Sequence, residues 1–301
     1  MPAMKNRRAG CTLRLRLSYL LVSAPRAGKH IPIIGSDLMF RQIKLLTLAG
    51  AFAASAFAVT GAQADGAIIG LVDGKSIVMI DPTTRKVTGQ AVIKGTDTMI
   101  AGIDVRPADG LIYAIANNGV IYTIDPKSGQ SKRVSKLSEA WKAGVTTTID
   151  FNPVADRLRV MGSHGVSVRV NPEDGKVTID GGHKYKDGDA NAGKTPKIIA
   201  GAYTNSKKGA TATTLYNIDA ATGALVTQAP PNDGVLNTVG PLGITLAEPV
   251  AFNIVADGDR NNAWLTTGGV LYSVDLNSGK ATVAGKIEGL NGKLVDIAWI
   301  D

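Results

Sequence analysis

From about residue 67 onward, apolar and polar residues alternate, and one short phrase punctuates the alternation. It is an apolar-alternating run, then Asp or Asn, usually Pro, then a turn closed by Gly. The copies are Ile77-Val-Met-Ile-Asp81-Pro82, Val120-Ile-Tyr-Thr-Ile-Asp125-Pro-Lys-Ser-Gly129 and Val166-Ser-Val-Arg-Val-Asn171-Pro-Glu-Asp-Gly175. Looser copies are Leu215-Tyr-Asn-Ile-Asp219-Ala-Ala-Thr-Gly223 and Val270-Leu-Tyr-Ser-Val-Asp275-Leu-Asn-Ser-Gly279. Alternation predicts half-buried strands. Recurrence of one strand unit predicts an all-β, propeller-like ring of about five four-stranded blades.

Each unit holds more than the phrase. In the second, Ile100-Ala-Gly-Ile-Asp-Val105 is a strand and Arg106-Pro-Ala-Asp-Gly110 a turn. Leu111-Ile-Tyr-Ala-Ile115 is the next strand, and Asn117-Asn118-Gly119 a hairpin signal. The chain starts with material matching second and third strands, at residues 67–72 and 77–81. It finishes with a first strand, Leu294-Val-Asp-Ile-Ala-Trp299. The C-terminal strand is therefore expected to close the first blade, which removes two exposed sheet edges. Unit four, residues 198–244, is irregular, and Pro230-Pro-Asn-Asp-Gly234 interrupts it. A six-bladed ring and a split sandwich are the alternatives there. A short helix is expected over residues 137–143.

The first 64 residues stand apart. Arg41 and Lys44, the apolar stretch 45–59 and Ala62-Gln63-Ala64 make a signal-peptide pattern over 39–64, with cleavage before Asp65. An uncleaved anchor is the alternative. Residues 1–38 read as a mis-assigned upstream extension, or as a long charged start, leaving 65–301 as one propeller domain. Residues 1–64 hold nine of the 33 Lys and Arg and one of the 25 Asp and Glu. The formal charge of +8 thus belongs to the leader, and the mature part is neutral. Nothing there makes the basic face that nucleic acid requires. The single cysteine, Cys11, also lies in the leader, so the mature part has no disulfide, thiolate nucleophile or cysteine metal site. The expectation is a monomer in the periplasm or outside the cell, with no membrane association after cleavage.

Several phrases resemble the bacterial domain of unknown function 4394 family. They are Phe151-Asn-Pro-Val-Ala-Asp-Arg-Leu-Arg159, Arg169-Val-Asn-Pro172, Gly188-Asp-Ala-Asn-Ala-Gly193, Ala202-Tyr-Thr-Asn205, Ala212-Thr-Thr-Leu-Tyr216, Pro231-Asn-Asp-Gly234 and Leu236-Asn-Thr-Val239. The resemblance covers the whole mature chain. It implies a secreted, propeller-like protein with no assigned activity, and it supplies no catalytic residues.

Candidate chemistry comes from the residues themselves. Superposing the units places Asp104, Asp150 and Asp296 at one level of the innermost strands, with Ala202 and Ala251 as the counterparts. Converging carboxylates repel one another unless they are protonated or share a cation. Oxygen ligands of this kind would suit Ca²⁺ or Mg²⁺. The other reading is that each aspartate bonds a neighbouring blade's backbone or an internal water. Asp187-Gly-Asp189-Ala-Asn191-Ala-Gly193 has the spacing of half a calcium loop. It lacks the Gly and Glu that complete an EF-hand, and surface loops are commonly rich in Asp and Gly. Asp257-Gly-Asp259-Arg-Asn261 repeats the spacing but aligns with an ordinary turn between first and second strands. His164 and His183 lie outside any nucleophile motif, and Ser163 is not in a strand–helix elbow.

Two functions fit. One is an exported, non-catalytic binding or interaction propeller for a glycan, cell-wall fragment or protein. The other is a hydrolase of glycosidase or lactonase type, using channel carboxylates or a divalent metal. An open pocket holding all three aspartates would favour the hydrolase. Aspartates bonded to backbone would favour the binding protein.

Overall fold

The computed structural model describes residues 66–141 and 146–301. The expected leader, residues 1–64, lies outside them. Among the described residues no helix is long and apolar enough to cross a membrane.

Five antiparallel sheets form the ring. Blade one contains β1 (Ala67–Val72), β2 (Ser76–Ile80) and β3 (Val87–Val92), with β21 (Leu294–Ile300) as its innermost strand. Blade two is β4 (Ile100–Val105), β5 (Ile112–Ala116), β6 (Val120–Ile124) and β7 (Ser131–Lys136). Blade three is β8 (Thr147–Asn152), β9 (Arg157–Gly162), β10 (Ser167–Val170) and β11 (Val177–Ile179). Blade four is β13 (Ile198–Tyr203), β14 (Leu215–Asp219), β15 (Ala224–Gln228) and β16 (Val235–Pro241), with β12 (Lys184–Tyr185) added parallel to β16. Blade five is β17 (Val250–Asp257), β18 (Arg260–Thr267), β19 (Val270–Val274) and β20 (Ala281–Lys286). The inner strands β21, β4, β8, β13 and β17 pack in that order and return to β21. Closure is as expected: Ala67 pairs with Ile300 and Gly70 with Ile297.

The repeated phrase folds as it does for a local reason. The Asp or Asn side chain replaces a turn's missing partners. Asp81 Oδ1 accepts the N–H groups of Thr83 and Thr84 at 2.8 and 2.7 Å, and Asp125 Oδ1 accepts that of Ser128 at 2.7 Å. The closing glycine has a second task. Gly175 stands at φ 75°, and a Cβ there would come within 1.8 Å of the Lys136 carbonyl of the preceding blade. That close approach lets Ser138 N–H donate to the Gly175 carbonyl at 2.9 Å.

Burial is laminar. Ile69, Leu71 and Ile77 of blade one meet Ile103 and Ile112 of blade two. Tyr113 and Ile115 of blade two meet Phe151 and Leu158 of blade three. Ile218 and Leu225 of blade four meet Phe252 and Leu265 of blade five. Sheets packed on both faces need apolar runs rather than a clean alternation, which is why β5 is buried throughout.

Two details differ from expectation. Residues 137–141 form bends and irregular structure, not a helix, and 142–145 lie outside the described residues. Leu137 N–H donates to the Gly119 carbonyl and Trp141 Nε1 to Thr147 Oγ1, so this segment's polar groups find partners without a helical turn. The Asp219-to-Gly223 copy joins the second and third strands of its blade, whereas the other copies join the third and fourth. Blade four's irregularity arises there, and Pro231–Asp233, a short 3-10 turn, lies between β15 and β16.

Candidate functional site

The inner strands place all three predicted aspartates around the axis, each nearly fully buried. Asp104 Oδ2 accepts Phe151 N–H at 2.7 Å, Asp150 Oδ1 accepts Tyr203 N–H at 2.8 Å, and Asp296 Oδ2 accepts Ile103 N–H at 3.0 Å. Each bond runs from one blade to the inner strand of the next. Such bonds hold seams together, because an unpaired buried N–H costs about 1–3 kcal/mol.

The three are not at one level. Asp104 pairs with Tyr113 and Asp150 with Arg159, which are corresponding positions. Asp296 pairs with Leu71, at the level where Gly102 pairs with Ile115 and Thr148 with Met161. Its carboxylate lies over Gly102, where a Cβ would come within 2.9 Å of Oδ2. The blade-five counterpart of Asp104 is therefore Asn253, opposite Trp264, and Ala251 matches Asp296. Offsets of two residues keep a side chain on the same face, so the repeat alone could not reveal the step.

Burial pushes the Asp104 carboxyl up to about 7. It pushes Asp150 well above the ordinary range, and the charges of Asp104 and Asp296 add to the effect. Asp296 moves the same way, again mainly through burial. Among the described residues, no group of three or more Asp, Glu, His or Cys side chains is arranged to hold a metal ion.

In the loop between β12 and β13, Asp189 and Asn191 come together. Asp189 accepts Thr238 N–H at 2.7 Å, Thr238 Oγ1 at 2.6 Å and Asn191 N–H at 2.8 Å. Asn191 Nδ2 donates to Thr238 Oγ1, and Lys194 Nζ donates to Asn191 Oδ1. These contacts tether the loop to β16. Asp187 is not part of this cluster. The Asp257 segment is the tight hairpin expected, with Asp257 paired to Arg260.

Sequence reasoning missed a buried ionic cluster beside Asp150. Arg159, 1% exposed, donates to Tyr203 Oη at 2.6 Å, Ser167 Oγ and Asp180 Oδ2 at 2.8 Å, and Asn232 Oδ1 at 2.9 Å. Arg169 binds Asp180 from the other side at 2.9 Å. One signal was present: of the four second-strand positions equivalent to Arg159, three hold Tyr113, Tyr216 and Trp264 and the fourth Ile69. A cation among aromatics marks a buried network. Nearby, neither ring nitrogen of His183 has a hydrogen-bond partner among the described residues. Burial, then the Arg159 charge, lowers its pKa to about 4.

At one mouth of the ring lies a cavity of about 330 Å³. Asp104, Arg106, Lys207, Lys208, Asn253 and Trp299 line it. Arg106 is committed elsewhere, to Asp156 at 2.8 and 2.5 Å and to Asp109 at 3.2 Å. Lys207 Nζ donates to the Gly258 carbonyl at 2.8 Å. Asn253, 7% exposed, makes no side-chain hydrogen bond among the described residues. Asp150 and Asp296 do not line this cavity.

Comparison with solved structures finds low-identity likenesses. RRP9 WD40 repeats are 12% identical, with 72% of this chain and 56% of that chain covered and a TM-score of 0.40. An auxiliary nutrient binding protein from Bacteroides thetaiotaomicron is 13% identical over 65% and 55%, with a TM-score of 0.39. The extracellular domain of a one component system from the same organism is 14% identical over 74% and 28%, with a TM-score of 0.36. The chain spans about half the length of the first solved structures it matches. At these scores they speak to neither ligand nor activity. None of the curated proteins matches. A family model matches residues 76–298, and the chain belongs to the family it describes, Domain of unknown function (DUF4394).

Proposed function

We propose that the protein is an exported binding propeller without catalytic chemistry of its own, and that its ligand enters the cavity at the channel mouth. One observation carries this reading: Asp104, Asp150 and Asp296 each accept a main-chain N–H from the next blade. Groups spent on holding seams together are poor candidates for a hydrolytic pair. Export rests on the leader pattern at residues 39–64. The Asp and Asn loop at 187–191 is a tether in this reading, since a lysine ammonium already occupies Asn191 Oδ1.

A hydrolase is the second reading, and Asp104 favours it. A carboxyl titrating at about 7 on a cavity wall has the properties of a general acid. Glycoside hydrolysis needs a second carboxylate about 5–10 Å across a cleft: Asp150 and Asp296 lie off the cavity, and Asp301, the other acid on its lining, already accepts Trp299 Nε1 at 2.9 Å. The purified protein should therefore turn over neither chromogenic glycosides nor lactones, while a small-molecule screen by thermal shift should find a saturable stabiliser. Turnover that disappears in Asp104→Asn would replace the binding reading with the hydrolase.

A further inference from the structure

The ring is clasped unevenly. Side chains of β21, β4 and β8 bond the next inner strand at three seams. The positions in β13 and β17 that correspond to Asp104 and Asp150 hold Ala202 and Asn253. Ala202 has no polar group to offer, and Asn253 makes no bond with its carboxamide. Blade five thus presents an almost fully buried amide, one donor group and one acceptor, to the 330 Å³ cavity. A buried polar group without a partner is costly unless a solvent molecule or ligand satisfies it.

The other lining groups narrow the ligand. Asp104 of blade two also lines the cavity, with a carboxyl able both to donate and to accept once it is protonated. Ser206 and Lys208 come from the β13–β14 connection and carry no side-chain hydrogen bond among the described residues. Trp299 supplies an indole held in place by Nε1 donating to Asp301 Oδ1 at 2.9 Å. Cationic Lys207 and Lys208 and anionic Asp301 all line the cavity, so the lining has no single sign. Amide, carboxyl, hydroxyl and ammonium groups around one aromatic suit a ligand with many hydroxyls and one apolar face. The volume lies at the small end of the roughly 300–1,000 Å³ typical of ligand pockets.

Resting on the binding reading above, we infer that this cavity takes a single sugar ring, with Asn253 and Asp104 bonding its hydroxyls, Lys208 at the rim and Trp299 against its C–H face.

The test is calorimetric titration of the full protein with glucose, galactose, N-acetylglucosamine and glucuronate. Glycine and alanine serve as zwitterionic controls, and unfolding is recorded alongside. At least one sugar should bind saturably, and Asn253→Ala should weaken it at least tenfold. The melting temperature should be unchanged, because that amide has no protein partner to lose. Val154→Ser, in a separate groove between blades three and four, should leave binding intact. Sugar binding that survives Asn253→Ala, or binding by none of the sugars, would overturn the inference. If the amino acids alone bind and Asn253→Ala abolishes it, the sugar assignment fails while the binding reading stands. Turnover of a sugar derivative would remove the binding reading itself.

Discussion

Asp104 of blade two accepts the main-chain N–H of Phe151 in blade three at 2.7 Å, although 47 residues separate them. Three such bonds make the inner ring a chain of seams and not merely an apolar stack. Placing carboxyls there has a consequence for pH. The Asp104 carboxyl moves from an ordinary 3.8 up to about 7 on folding, so its contribution to stability is full below 3.8 and is lost as pH rises through 7. Asp150 and Asp296 act in the same direction.

His183 acts in the opposite sense. Its pKa falls from 6.5 to about 4, so its contribution is full above 6.5 and is lost as pH falls through 4. The two effects oppose below 6.5, and above it only the aspartates remain. The melting temperature should therefore decline as pH rises from 6.5 through about 7. Asp104→Asn should flatten that decline, and His183→Gln should flatten the loss on the acid side. A melting temperature that rises above pH 6.5 contradicts this.

The Arg159 cluster should be expensive to break. Removing Arg159 leaves Asp180, whose side chain is 2% exposed, with Arg169 alone, and leaves Asn232 Oδ1 without this donor. Breaking a buried pair costs about 3–5 kcal/mol, so Arg159→Ala should lose that much in urea unfolding. Arg159→Lys should recover little, since one ammonium cannot serve groups arranged for a planar fork. A loss below about 1 kcal/mol would place the network among exposed, weak ion pairs.

Removal of residues 294–301 should destabilise the whole domain. It strips β21 from β1 and exposes the inner edges of blades one, two and five together. Circular dichroism should show one early, cooperative loss of strand signal. A truncated protein with the parent melting temperature would mean that the last strand is a frayed tail.

The blades were legible because their signal is local: an alternating run, an Asp that caps its own turn, and a Gly that the turn demands. Closure by residues 294–299 was legible because a strand lacking its partners at one end matched partners lacking a strand at the other. Long-range details were not. Asp296 lies one pleat from Asp104, and both registers put the side chain on the same face. The Asp219 turn has the repeated sequence but follows a second strand, a difference decided by the long connections around blade four.

The most direct measurement is thermal unfolding of the parent, Asp150→Asn and Asp150→Ala at mildly alkaline pH, with EDTA and with excess calcium. If the inner aspartates are inter-blade acceptors, EDTA changes nothing. Asp150→Asn keeps an acceptor for Tyr203 N–H, removes a carboxyl whose charged form burial and Asp104 disfavour, and melts no lower than the parent. Asp150→Ala strands that N–H and loses about 1–3 kcal/mol. A parent that EDTA destabilises and calcium restores, with the response abolished in Asp150→Asn, would contradict the account and make the inner ring an ion site.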